Sequence, residues 1–335
     1  MRTLFKGGTV VSGQGTRPAD VLVEGVTISA VGTDLSADGA QIVDCAGKLL
    51  FPGFIDAHTH FDLAVAGTVT ADDFATGSRA ALRGGTTTVI DYAAPDKGET
   101  LAYGLAKWRE KAAGRCACDY GFHMTIDDWS EGISREMGEM VDQGIPTFKM
   151  YMTYPAMMLP EGDLYRALKR LRELGCLTGV PCENSAVIDA LIAEAKAAGR
   201  IGPASHPRTR PAPLEAEAVS RLLRIAQVAD VPVIIVHLST REGLEEVRAA
   251  RRRGQTVYVE TCPQYLLLDE SVYDAADYLD AARYVCAPPI RGAADRDALW
   301  EALKSGEIQT VATDHCSFTL EQKRMGREDY TKIPG

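Results

Sequence analysis

From Gly53 onward the chain alternates between two kinds of segment, and this alternation limits the folds open to it. Short β-rich runs recur eight times: FIDAHTHF, TTTVIDY, DYGFHMTI, TFKMYMTY, LTGVPCEN, VPVIIVHLS, TVYVETCPQ and QTVATDHCS. Between them lie stretches such as ADDFATGSRAALRGG, EGDLYRALKRLRELG and PLEAEAVSRLLRIAQVAD, with apolar residues at three- and four-residue spacing and often a glycine at the end. That pattern predicts parallel strands joined by crossover helices. Eight such units predict an α/β fold closed into a (β/α)8 TIM-like barrel rather than an open sheet. Residues 1–52 read differently. LFKGGTVV, DVLVEGVTISAVG and QIVDCAGKLLFPG are alternating runs broken by turns, and predict the strands of a small N-terminal β-sandwich ahead of a barrel spanning 53–335. The eighth run ends near Asp314 and only about twenty residues follow. A barrel that closes there is expected to lack the C-terminal end of its fold.

Composition narrows the function. The 335 residues carry a formal net charge of -10, with 46% hydrophobic and 24% charged residues. An acidic chain without a basic run is a poor partner for nucleic acid or anionic lipid. No secretory signal and no apolar stretch of membrane-spanning length is read, so a cytoplasmic location without membrane partners is expected. The eight cysteines are scattered, and reduced thiols fit that location.

Barrel active sites lie at the C-terminal ends of the strands. Run one ends in His58-Thr59-His60, run four holds Lys149, run six ends in His237 and run eight in Asp314. His58 and His60 share one face of an extended strand, a chelating arrangement. Three of only six histidines converge with an aspartate on one rim, which suits zinc or another borderline divalent ion. Lys149 sits in an apolar run. A buried ammonium is costly, so the side chain is either paired with an acidic neighbour or neutral. A neutral amine can add carbon dioxide, giving a carbamate that bridges two cations.

The motifs PGFIDAHTHF, GTVTADDFATGSRAALRGGTTTVIDY, FKMYMTY, VHLS, VETCPQYLLLDE, APPIR and VATDHCSF resemble the hydantoinase/dihydropyrimidinase family of cyclic amidohydrolases along the whole chain. The resemblance implies an amidohydrolase-type barrel and a two-zinc site. His58, His60, carboxylated Lys149 and Asp314 would hold one ion, and His237 with the shared carbamate the other. It also implies hydrolytic ring opening of hydantoins and dihydropyrimidines to N-carbamoyl amino acids by a metal-activated hydroxide. In that scheme Asp314 carries the proton, Tyr154 donates to the oxyanion, and main-chain groups at Cys286 and Ala287 hold the substrate ring. A homo-oligomer, tetramer or dimer, is expected on the same ground.

The chain departs from the family where a further histidine ligand is usual, in a His-x-Glu-Asn motif. Here the segment reads Val180-Pro181-Cys182-Glu183-Asn184. Proline cannot ligate a metal, so the second ion is expected to bind weakly. Cys182, one residue along, should point to the opposite face. Ala287 stands where serine is usual. These losses, with the expected truncation, leave a second function open: a catalytically impaired or non-catalytic homologue acting as an assembly or scaffold protein. His123, His206 and His315 are expected to order structure rather than ligate, and Trp108, Trp129 and Trp300 to pack helix faces.

Overall fold

A computed structural model describes all 335 residues. The chain forms two compact units, Met1–Phe54 and Ile55–Gly335. The first holds a four-stranded sheet in the order Thr27–Gly32, Asp20–Glu24, Arg2–Lys6, Gln41–Asp44, and a three-stranded sheet in the order Gly15–Pro18, Thr9–Ser12, Leu49–Leu50. Leu4, Val21, Leu22 and Cys45 supply its buried apolar contacts.

The second unit is built on eight strands in sequential order: β1 Phe54–Thr59, β2 Thr86–Ala93, β3 Asp119–Ile126, β4 Thr147–Met150, β5 Leu177–Val180, β6 Val233–Ile235, β7 Val257–Thr261 and β8 Thr310–Val311. The recorded registers from β2 through β8 are all parallel. The sheet closes at one parallel bridge, Thr59 to His315, with His60 N–H donating to the His315 carbonyl at 2.8 Å. β8 is much shorter than the run QTVATDHCS suggests. Beyond its two residues a side chain replaces the ladder: Asp56 accepts from Thr313 N–H at 3.1 Å and from its hydroxyl at 2.5 Å. β4 likewise ends at Met150 and β6 at Ile235 rather than running to the ends of their apolar runs.

The crossover helices follow from their apolar spacing. Glu161–Leu174 buries Leu164, Ala167, Leu168 and Leu171, and Arg241–Arg252 buries Leu244, Val247 and Ala250. These three- and four-residue steps set one stripe against the sheet. Side-chain caps begin several helices: Asp73 with Thr76 in a capping box, Thr100, Ser130, Asn184 and Thr240. Gly175, at φ 66°, ends Glu161–Leu174 in the left-handed region. Gly77 serves a packing need, since a Cβ there would lie 2.3 Å from the Phe61 ring. No helix is long and apolar enough to cross a membrane. After β8 the only α-helix is Leu320–Lys323.

Candidate metal centre

His58 is the penultimate residue of β1 with His60 just beyond its end, and both imidazoles turn into the barrel mouth. Their Nε2 atoms lie 3.1 and 3.2 Å from one oxygen, Asp314 Oδ1. The three ligand atoms fall within 4.8 Å of one another. Lys149 Nζ reaches the same point from β4, 2.8 Å from His58 Nε2 and 3.5 Å from His60 Nε2. The Tyr92 ring lies against the cluster, 4.2 Å from Lys149 Nζ and stacked on His60 at 5.3 Å.

Electrostatics follow from this packing. Burial lowers the Lys149 pKa, which favours the neutral amine, and the hydrogen-bond partners of Nζ are imidazoles rather than a carboxylate. Burial, then Lys149, push His60 down to about 3. Burial and Lys149 also act to lower His58, but the carboxylates of Asp314 and Glu260 outweigh them and raise it to about 9. Burial acts to raise Asp314, yet His58 and His60 hold it well below the usual carboxylate range. The two carboxylates therefore make a field that attracts positive charge to the point where the ligand atoms meet.

His237 stands beside the cluster, its ring 5.7 Å from that of His58. Burial pushes it down to about 4, and its Nδ1 is buried without a hydrogen-bond partner. A neutral imidazole with an unpartnered ring nitrogen in a polar mouth fits a ligand for a cation. Its neighbour strand offers nothing similar: β5 stops at Val180, Pro181 is buried, and Cys182 packs in the hydrophobic core with its thiol donating to the Val180 carbonyl at 3.4 Å. Burial keeps that thiol protonated by raising its pKa well above the ordinary value.

The remaining expected residues lie around this centre. Tyr154 has φ 64° in the segment after β4, and the Arg210 guanidinium sits 5.9 Å from its ring. Arg210 is in turn fixed by a 2.6 Å ion pair to buried Glu183. Cys286 and the cis Ala287-Pro288 bond occupy the segment before helix Ala293–Lys304. There the Cys286 carbonyl accepts from His206 Nε2 at 2.7 Å. Positive φ at His237, Tyr154 and Asp314 places three of these non-glycine residues in a sparsely populated backbone region. The other histidines have structural partners: His123 donates to the Ala57 carbonyl, and His315 pairs with Asp72 at 2.9 Å. Trp108 does more than pack, donating to buried Asp91 at 2.8 Å.

Sequence reasoning passed over Glu260 and Tyr92. The signal for Glu260 was present, since an acidic residue inside the apolar run TVYVETCPQ is out of place unless it is paired.

Comparison with known proteins identifies the family. The sequence pattern of the amidohydrolase family matches residues 49–328. A D-hydantoinase of Geobacillus stearothermophilus is 41% identical over 337 residues, which cover 100% of this chain and 71% of the relative. A D-phenylhydantoinase of Escherichia coli O1:K1 / APEC is 41% identical, covering 100% and 72%. The crystal structure of dihydropyrimidinase from Brevibacillus agri NCHU1002 superposes with a TM-score of 0.98 at 42% identity, covering 100% of this chain and 73% of that one. A barrel whose rim gathers two histidines, a lysine and an aspartate, matched over its whole length by such relatives, belongs to the amidohydrolase family, in its hydantoinase and dihydropyrimidinase branch.

Proposed function

We propose that this chain hydrolyses cyclic amides, opening hydantoins and dihydropyrimidines to N-carbamoyl amino acids. The observation that carries the reading is the meeting of His58, His60, Lys149 and Asp314 at one point of the rim. Two imidazoles and a carboxylate suit zinc, and the unpartnered Nδ1 of His237 extends the donor set. His58, His60, Asp314 and a carboxylated Lys149 would hold the ion, with His237 toward a second, weaker position. When bound, zinc supplies a Lewis acid that polarises the ring carbonyl and makes water acidic near neutral pH.

The chain's own residues supply the rest. The neutral amine of Lys149, favoured by burial, adds carbon dioxide to give a carbamate and release a proton. Asp314, ionised in its field, takes the proton of the attacking water and passes it to the ring nitrogen as the C–N bond breaks. Oδ1 faces the imidazoles. Burial raises the Tyr154 phenol, so it remains a hydrogen-bond donor for the developing oxyanion. Main-chain groups at Cys286 and Ala287 hold the substrate ring. His206 occupies one acceptor position of the Cys286 carbonyl and fixes its direction. The two sheets of Met1–Phe54 are read as a small β-sandwich, and the active form as a homo-oligomer. A purely scaffolding role is not favoured, because the rim retains a convergent ligand set.

The test is turnover of 5-phenylhydantoin and dihydrouracil by the purified chain with zinc and bicarbonate. Ring opening of either supports the reading. No turnover with zinc, manganese or cobalt contradicts it.

A further inference from the structure

Glu260 belongs neither to the ligand set nor to the proton route, yet it is only 5% exposed and lies among both. It comes from β7, while His58 lies near the end of β1 and His237 follows β6. Its Oε1 accepts from His58 Nδ1 at 2.6 Å, and the same oxygen accepts from the His237 main-chain N–H at 3.3 Å. The Glu260 carbonyl also accepts from Leu238 N–H at 2.8 Å.

Without a cation the two carboxylates favour the imidazolium of His58, with both nitrogens protonated. As a ligand it would be neutral with one N–H, for which they would compete. Asp314 Oδ1 stands 3.1 Å from Nε2 and Glu260 Oε1 stands 2.6 Å from Nδ1. If Asp314 won, the proton would sit on Nε2, the atom that faces His60, Lys149 and Asp314, and no lone pair would point into the centre. The shorter contact to Glu260 places the proton on Nδ1 and leaves Nε2 as a donor of electrons. At His237 the demand is on the backbone. Its φ of 41° is unfavourable for a residue with a Cβ, and two hydrogen bonds to Glu260, one to His237 N–H and one to Leu238 N–H, hold that turn in place.

We infer that Glu260 is a positioning residue joining the two sides of the centre: one carboxylate oxygen sets the tautomer of His58 and braces the left-handed turn that presents His237. The inference rests on the metal-dependent reading above and goes beyond it by assigning the carboxylate that orients ligands from two strands.

The test uses Glu260→Gln, close to isosteric and still able to accept, and Glu260→Ala. Zinc affinity is measured by competition with a chromogenic chelator, alongside the melting temperature of the zinc-free protein and kcat and KM for a hydantoin. Zinc affinity is expected to fall roughly 10- to 100-fold in Glu260→Ala and by less in Glu260→Gln, with kcat falling and KM within about twofold of wild type. Near-UV circular dichroism establishes folding, and if Glu260→Ala does not fold, Glu260→Gln decides. A lower melting temperature with zinc affinity within about twofold of wild type in the folded variants overturns the inference and leaves the metal reading intact. A wild-type chain without measurable zinc affinity overturns both.

Discussion

The two sides of the barrel rim are built differently. From β1, β4 and β8 come four side chains that already meet: His58, His60, Lys149 and Asp314, with contacts of 2.8 to 3.5 Å. From β5 and β6 come a buried proline and a histidine whose Nδ1 has no partner. The first side is a set of mutually polarised groups, the second a single donor beside a residue that cannot ligate. The lesson is that one cation finds nearly all its protein ligands in place, whereas a second would depend on His237 and whatever Lys149 carries.

Asp314→Asn attacks the complete side and has the largest expected effect. It removes both a ligand and the proton carrier, so kcat with zinc should fall by roughly a thousandfold or more. Steady-state kinetics on 5-phenylhydantoin measure this, and near-wild-type turnover would break the assignment. Tyr154→Phe should come next, with kcat lower by about a hundredfold and KM little changed, as expected for a donor engaged chiefly in the transition state. A change confined to KM would assign Tyr154 to ground-state binding. Pro181→His attacks the deficient side in the opposite direction. It should raise zinc content and increase turnover about tenfold, because a second imidazole beside His237 completes a usable donor set for the second ion. Unchanged metal content and rate would show that β5 does not address the centre.

The smallest effect concerns stability beneath the rim. His206 is held down to about 3 by burial first and by Arg210, and it donates to the Cys286 carbonyl. Its folded pKa is below the ordinary 6.5, so the unfolded chain binds more protons between these values. Stability from His206 is therefore full above about pH 6.5 and is lost as pH falls toward 3. His206→Gln should reduce the pH dependence of urea-measured stability in that window by up to about 1.4 kcal/mol per pH unit. An unchanged slope would mean that His206 already titrates normally.

Much of the rim was legible in the sequence. Strand-end position and the two-residue period singled out His58, His60, Lys149, His237 and Asp314. The alternation of β-rich and helical runs gave the eight strands. What escaped depends on closure. Glu260 and His58 are 202 residues apart and meet across the barrel interior, from strands that are not neighbours. Asp56 replaces main-chain pairing at the seam with β8, so an apparently long eighth strand has only two ladder residues. The positive φ values of Tyr154, His237 and Asp314 carried no signal either, because no glycine or asparagine marks those turns.

The zinc content of the purified wild-type chain, loaded with zinc and bicarbonate and then dialysed, tests the contrast between the two sides most directly. The complete set on β1, β4 and β8 with the deficient set on β5 and β6 predicts close to one tightly held ion per chain. Two tightly held ions beside an intact Pro181, or none at all, would contradict it.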